Sequence, residues 1–316
     1  MIGTDVSLAA KLLNDGELVA IPTETVYGLA ANATDVDAVA KIYRAKNRPS
    51  FNPLILHFAS LEDALPYVKS VSSAVKKLAD HFWPGPLSIL LPKSNLVPDL
   101  TTAGLPNVVV RVPSNPITLD LLSQLNFPLA APSANISNTV SPTSAKRVEQ
   151  SLGNNVKYIL EGGQSAVGIE STIISCQDDK IVVLRQGGTS VEDLEKVSGL
   201  PIEAHNNKEI SSPGQLKKHY ATHKPLIVVE DIEAYALANS ESKTMYLLYE
   251  TKEHIGFRNS ILLSANYSLS EIANNLFESM HKADESDAEQ IVIERCKDAG
   301  IGRAINDRIT RASSKE

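Results

Sequence analysis

Cysteine is nearly absent from this chain: Cys176 and Cys296 are the only two in 316 residues, far apart and without a C-x-x-C pairing. That excludes a disulfide framework and a cysteine-based zinc site, and leaves the expectation of two buried thiols in a reducing compartment. Long apolar runs are missing too. Nothing approaches the ~18 residues of a membrane helix, and Asp5, Asp15 and Glu17 interrupt the first twenty residues, so neither a membrane span nor a secretory leader is expected. A cytoplasmic location follows as the default. Aromatics are only 5% of the chain and 37 acids outnumber 30 bases, so an aromatic-and-basic surface for coating nucleic acid is not expected.

Several catalytic signatures are absent as well. No G-x-x-x-x-G-K-[ST] occurs, so a nucleoside triphosphate would bind without a P-loop. The nearest approach to a nucleophile elbow, Gly163-Gln164-Ser165-Ala166-Val167, lacks its second glycine, because Gly168 falls one place late. There is no H-E-x-x-H and no acidic cluster at metal-ligand spacing, so a metal would arrive with its ligand.

What the sequence does contain is an α/β rhythm. Strands are predicted at Leu18 to Ile21, Pro53 to Phe58, Leu87 to Leu91, Val108 to Val112, Pro128 to Ala131, Ser171 to Ser175 and Ile181 to Leu184, with a helix over Val36 to Ala45. Together they imply one large mixed sheet covered by helices. The pattern lapses after residue 204 into His205-Asn206-Asn207-Lys208-Glu209 and Ser211-Ser212-Pro213-Gly214, a linker-like composition. A smaller unit restarts with Leu226-Ile227-Val228-Val229 and continues with parallel-type strands at Met245 to Leu248, Ile261 to Leu263 and Gln290 to Ile293. Its helical stripe Ile272, Leu276 and Met280 reads as core, with Ser270 as the expected cap, and a closing helix is expected from Ile301 to Thr310. The domains therefore run 1–204, a linker 205–225, and 226–316, the last Rossmann-like but without G-x-G-x-x-G.

Chemistry concentrates where strands end. From Ala38 to Leu61 the chain carries Lys41, Arg44, Lys46 and Arg48 and no acid, a cationic island that is either a solvated helix face or an anion site. Pro22-Thr23-Glu24-Thr25-Val26-Tyr27-Gly28 leaves a strand through hydroxyls, which either stabilise a turn or meet a ligand. Ser141 is placed to cap a helix beginning near Pro142, and free N–H groups there suit phosphate. Arg111 and Arg185 interrupt apolar strands, so each needs either a carboxylate such as Glu24 or Glu170, or an anionic ligand.

Taken in order, Thr23-Glu24-Thr25-Val26-Tyr27-Gly28-Leu29, Lys46 with Arg48-Pro49, Asn52-Pro53-Leu54-Ile55, Trp83-Pro84-Gly85-Pro86, Arg111-Val112-Pro113, Pro132-Ser133-Ala134-Asn135, Gly168-Ile169-Glu170-Ser171-Thr172 and Leu184-Arg185 with Gly187 resemble the threonylcarbamoyl-AMP synthase family and its YrdC-like domain. Ser212-Pro213-Gly214, His219-Tyr220-Ala221 and Ala304-Ile305-Asn306-Asp307-Arg308 resemble that family's long, two-domain branch. The resemblance implies an α/β fold with a large twisted mixed sheet and a small Rossmann-like domain. It also implies conversion of L-threonine, bicarbonate and ATP to L-threonylcarbamoyl-adenylate and diphosphate, for threonylcarbamoyladenosine beside the anticodon of tRNA. By the family pattern Lys46, Arg48, Asn52, Asn107, Ser133, Ser141, Arg185 and Tyr220 fall on ATP, with Lys46 and Arg48 as the catalytic cations. Thr25, His57, Arg111, Ala131 and Ser171 fall on threonine, Arg111 clamping its carboxylate. Mg²⁺ is expected as cofactor, carried by the phosphates, and a threonylcarbamoyl transferase acting on tRNA as downstream partner, with at most a weak RNA contact.

Two places depart from the pattern: Asn107 stands where relatives carry threonine, and Thr222 follows Ala221 where relatives often carry proline. The linker is expected to cover the site, with Tyr220 reaching over the nucleotide. An RNA-binding module would use the cationic island on a tRNA backbone, and the net charge of −7 opposes it. A carbamoyl-transferring relative from hydrogenase maturation would need cysteine-rich zinc modules that two cysteines cannot make.

Overall fold

Evenly apolar runs as short as Val19-Ala20-Ile21 or Val108-Val109-Val110 can bury both faces only within a sheet that helices cover. In the computed structural model, which describes every residue except 178, 205–218, 240–242, 252–256, 258 and 315–316, they do so in an eleven-stranded mixed sheet. Its order is Ile2–Gly3, Tyr158–Leu160, Val19–Ile21, Gly28–Asn32, Leu129–Ala130, Ile55–His57, Asn107–Arg111, Leu87–Pro92, Thr172–Cys176, Ile181–Arg185 and Ile202–Ala204. Two pairings set the site: Ile55–His57 runs parallel to Asn107–Arg111 with His57 opposite Arg111, and Leu87 lies opposite Thr172. The main core packs Leu29, Val39, Ile42, Leu54, Val110 and Leu194 beneath these strands.

The helix Val36–Lys46 shows how local sequence aims the cations. Asp35 caps it by accepting from the N–H groups of Asp37 and Ala38, while Val39, Ile42 and Tyr43 form its buried stripe. The helix stops at Asn47, whose φ of 51° is the left-handed geometry that asparagine tolerates. Lys46 is already on the buried face of the last helical turn, and after the reversal Arg48 lies against Asn52 and Pro53.

The smaller sheet is wholly parallel, in the order Leu226–Val229, Gln290–Glu294, Thr244–Leu248, Ser260–Leu262. Against it lie the helices Leu269–Glu285, whose Ile272, Leu276 and Met280 are buried as expected, and Gly302–Ala312. The cap of the first is Ser268, not Ser270: its oxygen accepts from the N–H of Glu271, and Ser270 already lies inside the helix.

The two units touch closely. Arg147 makes a bidentate pair with Glu278 at 3.0 Å, and the Asn274 side chain donates to the carbonyls of Ser165 and Ala166. Gly168 has φ +79°, and a Cβ there would come within 2.5 Å of the Asn274 backbone, so only glycine lets this loop dock on the helix. Of the expected linker, residues 205–218, including Ser211-Ser212-Pro213-Gly214, lie outside the described residues. Among the described residues no helix is long and apolar enough to cross a membrane.

Candidate functional site

Nine of the predicted residues line one cavity at the strand ends: Thr25, Arg48, His57, Arg111, Ala131, Ser133, Ser171, Arg185 and Tyr220. Its interior is about 50 Å³. Thr23, Glu170 and His219 also line it, and the sequence pattern assigns no ligand to them. The signal for Glu170 is its place within Gly168-Ile169-Glu170-Ser171-Thr172, where the sequence suggests only a partner for an arginine.

Arg111 has a carboxylate partner in the fold. It leaves its strand beside His57, donates from Nη2 to Glu24 Oε1 at 2.6 Å, from Nη1 to Thr25 Oγ1 at 2.9 Å and from Nε to the Gly85 carbonyl at 3.2 Å. The same Glu24 accepts from the Ser114 N–H, so the buried acid is satisfied at both oxygens. The guanidinium nevertheless has five N–H groups, so two remain for a ligand. Thr23 in turn shares a 2.8 Å hydrogen bond with Thr25 and donates to the Val26 carbonyl, holding the hydroxyl loop rigid. His57 is 3% exposed with Nδ1 unpartnered. Burial, reinforced by the Arg111 cation, pushes its pKa down to about 3, so the imidazole is neutral at physiological pH.

Arg48 and Arg185 differ from Arg111. Arg48 donates to the Asn52 carbonyl at 3.1 Å, to Asn52 Oδ1 at 2.7 Å and to the Pro53 carbonyl at 2.8 Å. Arg185 donates to the Ser171 carbonyl at 2.9 Å and to Ser171 Oγ at 3.0 Å. All these acceptors are neutral, and among the described residues neither arginine has a carboxylate within ion-pair reach. Enclosure lowers both to about 10, with the Arg185 cation adding to the fall at Arg48 and the Arg308 and Arg111 cations to that at Arg185, so each gains from a counter-anion. Gly187, two residues after Arg185, lets that loop lie against the Glu170–Thr172 backbone: a Cβ there would come within 2.3 Å of the Glu170 carbonyl.

Glu170 is held from both domains. Ser141 donates to Oε1 at 2.7 Å and Arg308 Nε to Oε2 at 2.8 Å. Burial alone would raise its pKa, but Arg308, Arg185 and Ser141 hold the carboxyl down at about 2. Tyr220, 1% exposed and with φ 64°, closes the cavity, its ring stacked 5.3 Å from Phe277 on one side and 5.3 Å from the Arg308 guanidinium.

Four expected residues stand outside the lining. Lys46 is 1% exposed and its ammonium donates to the carbonyls of Ser133 and Asn135, so it braces the Pro132-Ser133-Ala134-Asn135 turn instead of facing the cavity. Asn52 acts behind Arg48. Asn107 begins the strand that Arg111 ends, opposite Pro92, about 13 Å away at ~3.3 Å per residue. Ser141 does not cap a helix: Ser144 caps Ala145–Leu152, and the Ser141 hydroxyl is spent on Glu170.

This is a two-domain α/β protein with a cation-rich cavity at the strand ends, where hydroxyls stand beside two arginines that form no ion pair among the described residues, an arrangement suited to an anion. Comparison with known proteins is specific. Residues 11–187 match the Sua5, YciO and YrdC family described as telomere recombination, and 189–314 match the threonylcarbamoyl-AMP synthase C-terminal domain. A threonylcarbamoyl-AMP synthase of Pyrococcus abyssi is 39% identical, covering 98% of this chain and 94% of its own. One of Bacillus subtilis is 38% identical, with 98% and 92% covered. A crystal structure of P. abyssi Sua5 complexed with L-threonine superposes with a TM-score of 0.89 at 38% identity, over 98% of this chain and 94% of that one. The chain belongs to the threonylcarbamoyl-AMP synthase family and is an enzyme.

Proposed function

We propose that this enzyme makes L-threonylcarbamoyl-adenylate from L-threonine, bicarbonate and ATP, releasing diphosphate. The observation that carries the reading is the pair Arg48 and Arg185, two cations without carboxylate partners among the described residues, beside the Thr25, His57 and Arg111 group that shares their cavity. Threonine would lie against Thr25, His57, Ala131 and Ser171 with its carboxylate on the two free N–H groups of Arg111. Its amine, captured by carbon dioxide as a carbamate, would present an oxygen to the α-phosphorus of ATP. That oxygen forms the new P–O bond as the bridging bond to the β-phosphate breaks, and diphosphate leaves with the electron pair. No protein nucleophile is required; Arg48 and Arg185 supply positioning and offset the charge that builds on the phosphate oxygens.

Magnesium would be held by the phosphates. Among the described residues no three His, Cys, Asp or Glu side chains gather as a metal site, and Glu24 and Glu170 are engaged by arginines. It would supply charge neutralisation on the phosphate oxygens. An interior of about 50 Å³ is smaller than a nucleotide, so the Tyr220 ring that lines it would move on binding and reclose over the ligand. Diphosphate release measured with all three substrates, and with each omitted singly, tests the assignment: release that persists unchanged without threonine would sink it.

A further inference from the structure

The cavity's charge balance depends on a residue from the other domain. Arg308 sits in the last helix, Gly302–Ala312, and is completely buried, which for a cation demands compensation. Its Nε donates to Glu170 Oε2 at 2.8 Å, its Nη1 donates to Asp307 Oδ2 at 2.8 Å, and its guanidinium faces the Tyr220 ring at 5.3 Å. Asp307 is shared with Arg311 at 2.8 Å, so the acid that Arg308 neutralises for itself is Glu170. Glu170 and Tyr220 both line the cavity, whereas Arg308 stands behind them.

The consequence concerns Arg185. Glu24 is cancelled by Arg111 and Glu170 by Arg308, which leaves the positive charges of Arg48 and Arg185 uncompensated among the described residues. Without Arg308, the Glu170 carboxylate would be a buried anion whose nearest remaining cation lining the cavity is Arg185, and the two already interact. An Arg185 turned to Glu170 would present less charge to phosphates, and an anion would stand in the site meant for another.

We propose that Arg308 is a positioning residue for the polyanion site, through which the smaller domain governs nucleotide affinity. It does so by neutralising Glu170. The proposal rests on the reading of ATP as the polyanion.

The experiment uses the full chain and calorimetric titration with α,β-methylene-ATP, which cannot release diphosphate, and with L-threonine. R308M is expected to weaken the nucleotide at least tenfold and change threonine affinity less than twofold. The double variant E170Q/R308M is expected to return nucleotide affinity to within threefold of the parent, because the stranded anion is gone; a residue that merely packs two domains would show no such rescue. An R308M affinity equal to the parent's, or a double variant no better than R308M, overturns the proposal. If R308M does not fold, E170Q decides: Asp307 still accompanies Arg308 there, and nucleotide binding at least as tight as the parent's is expected, while a tenfold weakening refutes it. Should the parent chain bind no nucleotide, the functional reading fails separately. Inorganic diphosphate then serves as the probe, with the same ordering of variants required.

Discussion

Replacing Arg48 by alanine separates the two halves of the proposed site. In the fold its guanidinium makes three hydrogen bonds, to the Asn52 carbonyl, Asn52 Oδ1 and the Pro53 carbonyl. The Asn52 carbonyl keeps the Tyr43 hydroxyl at 3.1 Å, so the truncation strands Asn52 Oδ1 and the Pro53 carbonyl. Leaving such groups unmade costs about 1–3 kcal/mol, partly offset because Arg48 and Arg185 no longer oppose one another. A fall in Tm of roughly 2–12 °C follows at ~2–4 °C per kcal/mol, toward the lower end once the offset is counted. A charge-assisted contact to phosphate contributes about 1.5–3 kcal/mol, so KM for ATP should rise about 10- to 150-fold. Threonine, held on the Arg111 side of the cavity, should keep its KM. Diphosphate release at saturating threonine and then at saturating ATP gives both constants, and thermal melting with and without ATP gives the affinity independently. An unchanged KM for ATP, or a rise confined to threonine, would refute the division of the cavity.

His57 predicts a pH dependence of stability. The unfolded chain takes up this proton below about pH 6.5 and the folded one only below about 3, so between those values the unfolded state holds more protons. Stability therefore falls as pH drops below 6.5, by up to ~1.4 kcal/mol per pH unit from this group, and is insensitive to it above. Urea midpoints from pH 7 to 4.5 should decline less steeply for His57→Asn than for the parent; equal slopes would show that the imidazole is not held neutral. Tyr220→Ala removes a buried ring stacked between Phe277 and Arg308, an aromatic loss that typically costs about 3–5 kcal/mol. It should raise KM for ATP at least tenfold if the ring closes over the nucleotide, and the lid idea fails if only the melting temperature moves.

Local features were legible before any coordinates. The predicted strands recur within about two residues because β-branched runs flanked by proline, glycine and hydroxyls leave few alternatives. Gly28–Asn32 was missed because its Gly-Leu-Ala-Ala-Asn run has weak strand preference and is recruited by its neighbours Val19–Ile21 and Leu129–Ala130. The caps show the same limit: serines at 141 and 144, or 268 and 270, look alike in sequence, and side-chain reach selects between them.

By itself the sequence determined the α/β class, the order of the ligand-facing motifs and the family they signal, since these depend on short-range pattern. Only the tertiary structure decided which charges cancel. Arg111 meets Glu24 across 87 residues and Arg308 meets Glu170 across 138, while Arg48 and Arg185 are left without such a partner among the described residues. It also turned Lys46 away from the cavity and onto backbone carbonyls. The reason is electrostatic: a buried charge is stabilised by whatever the fold brings within a few ångströms, and spacing along the chain does not carry that distance.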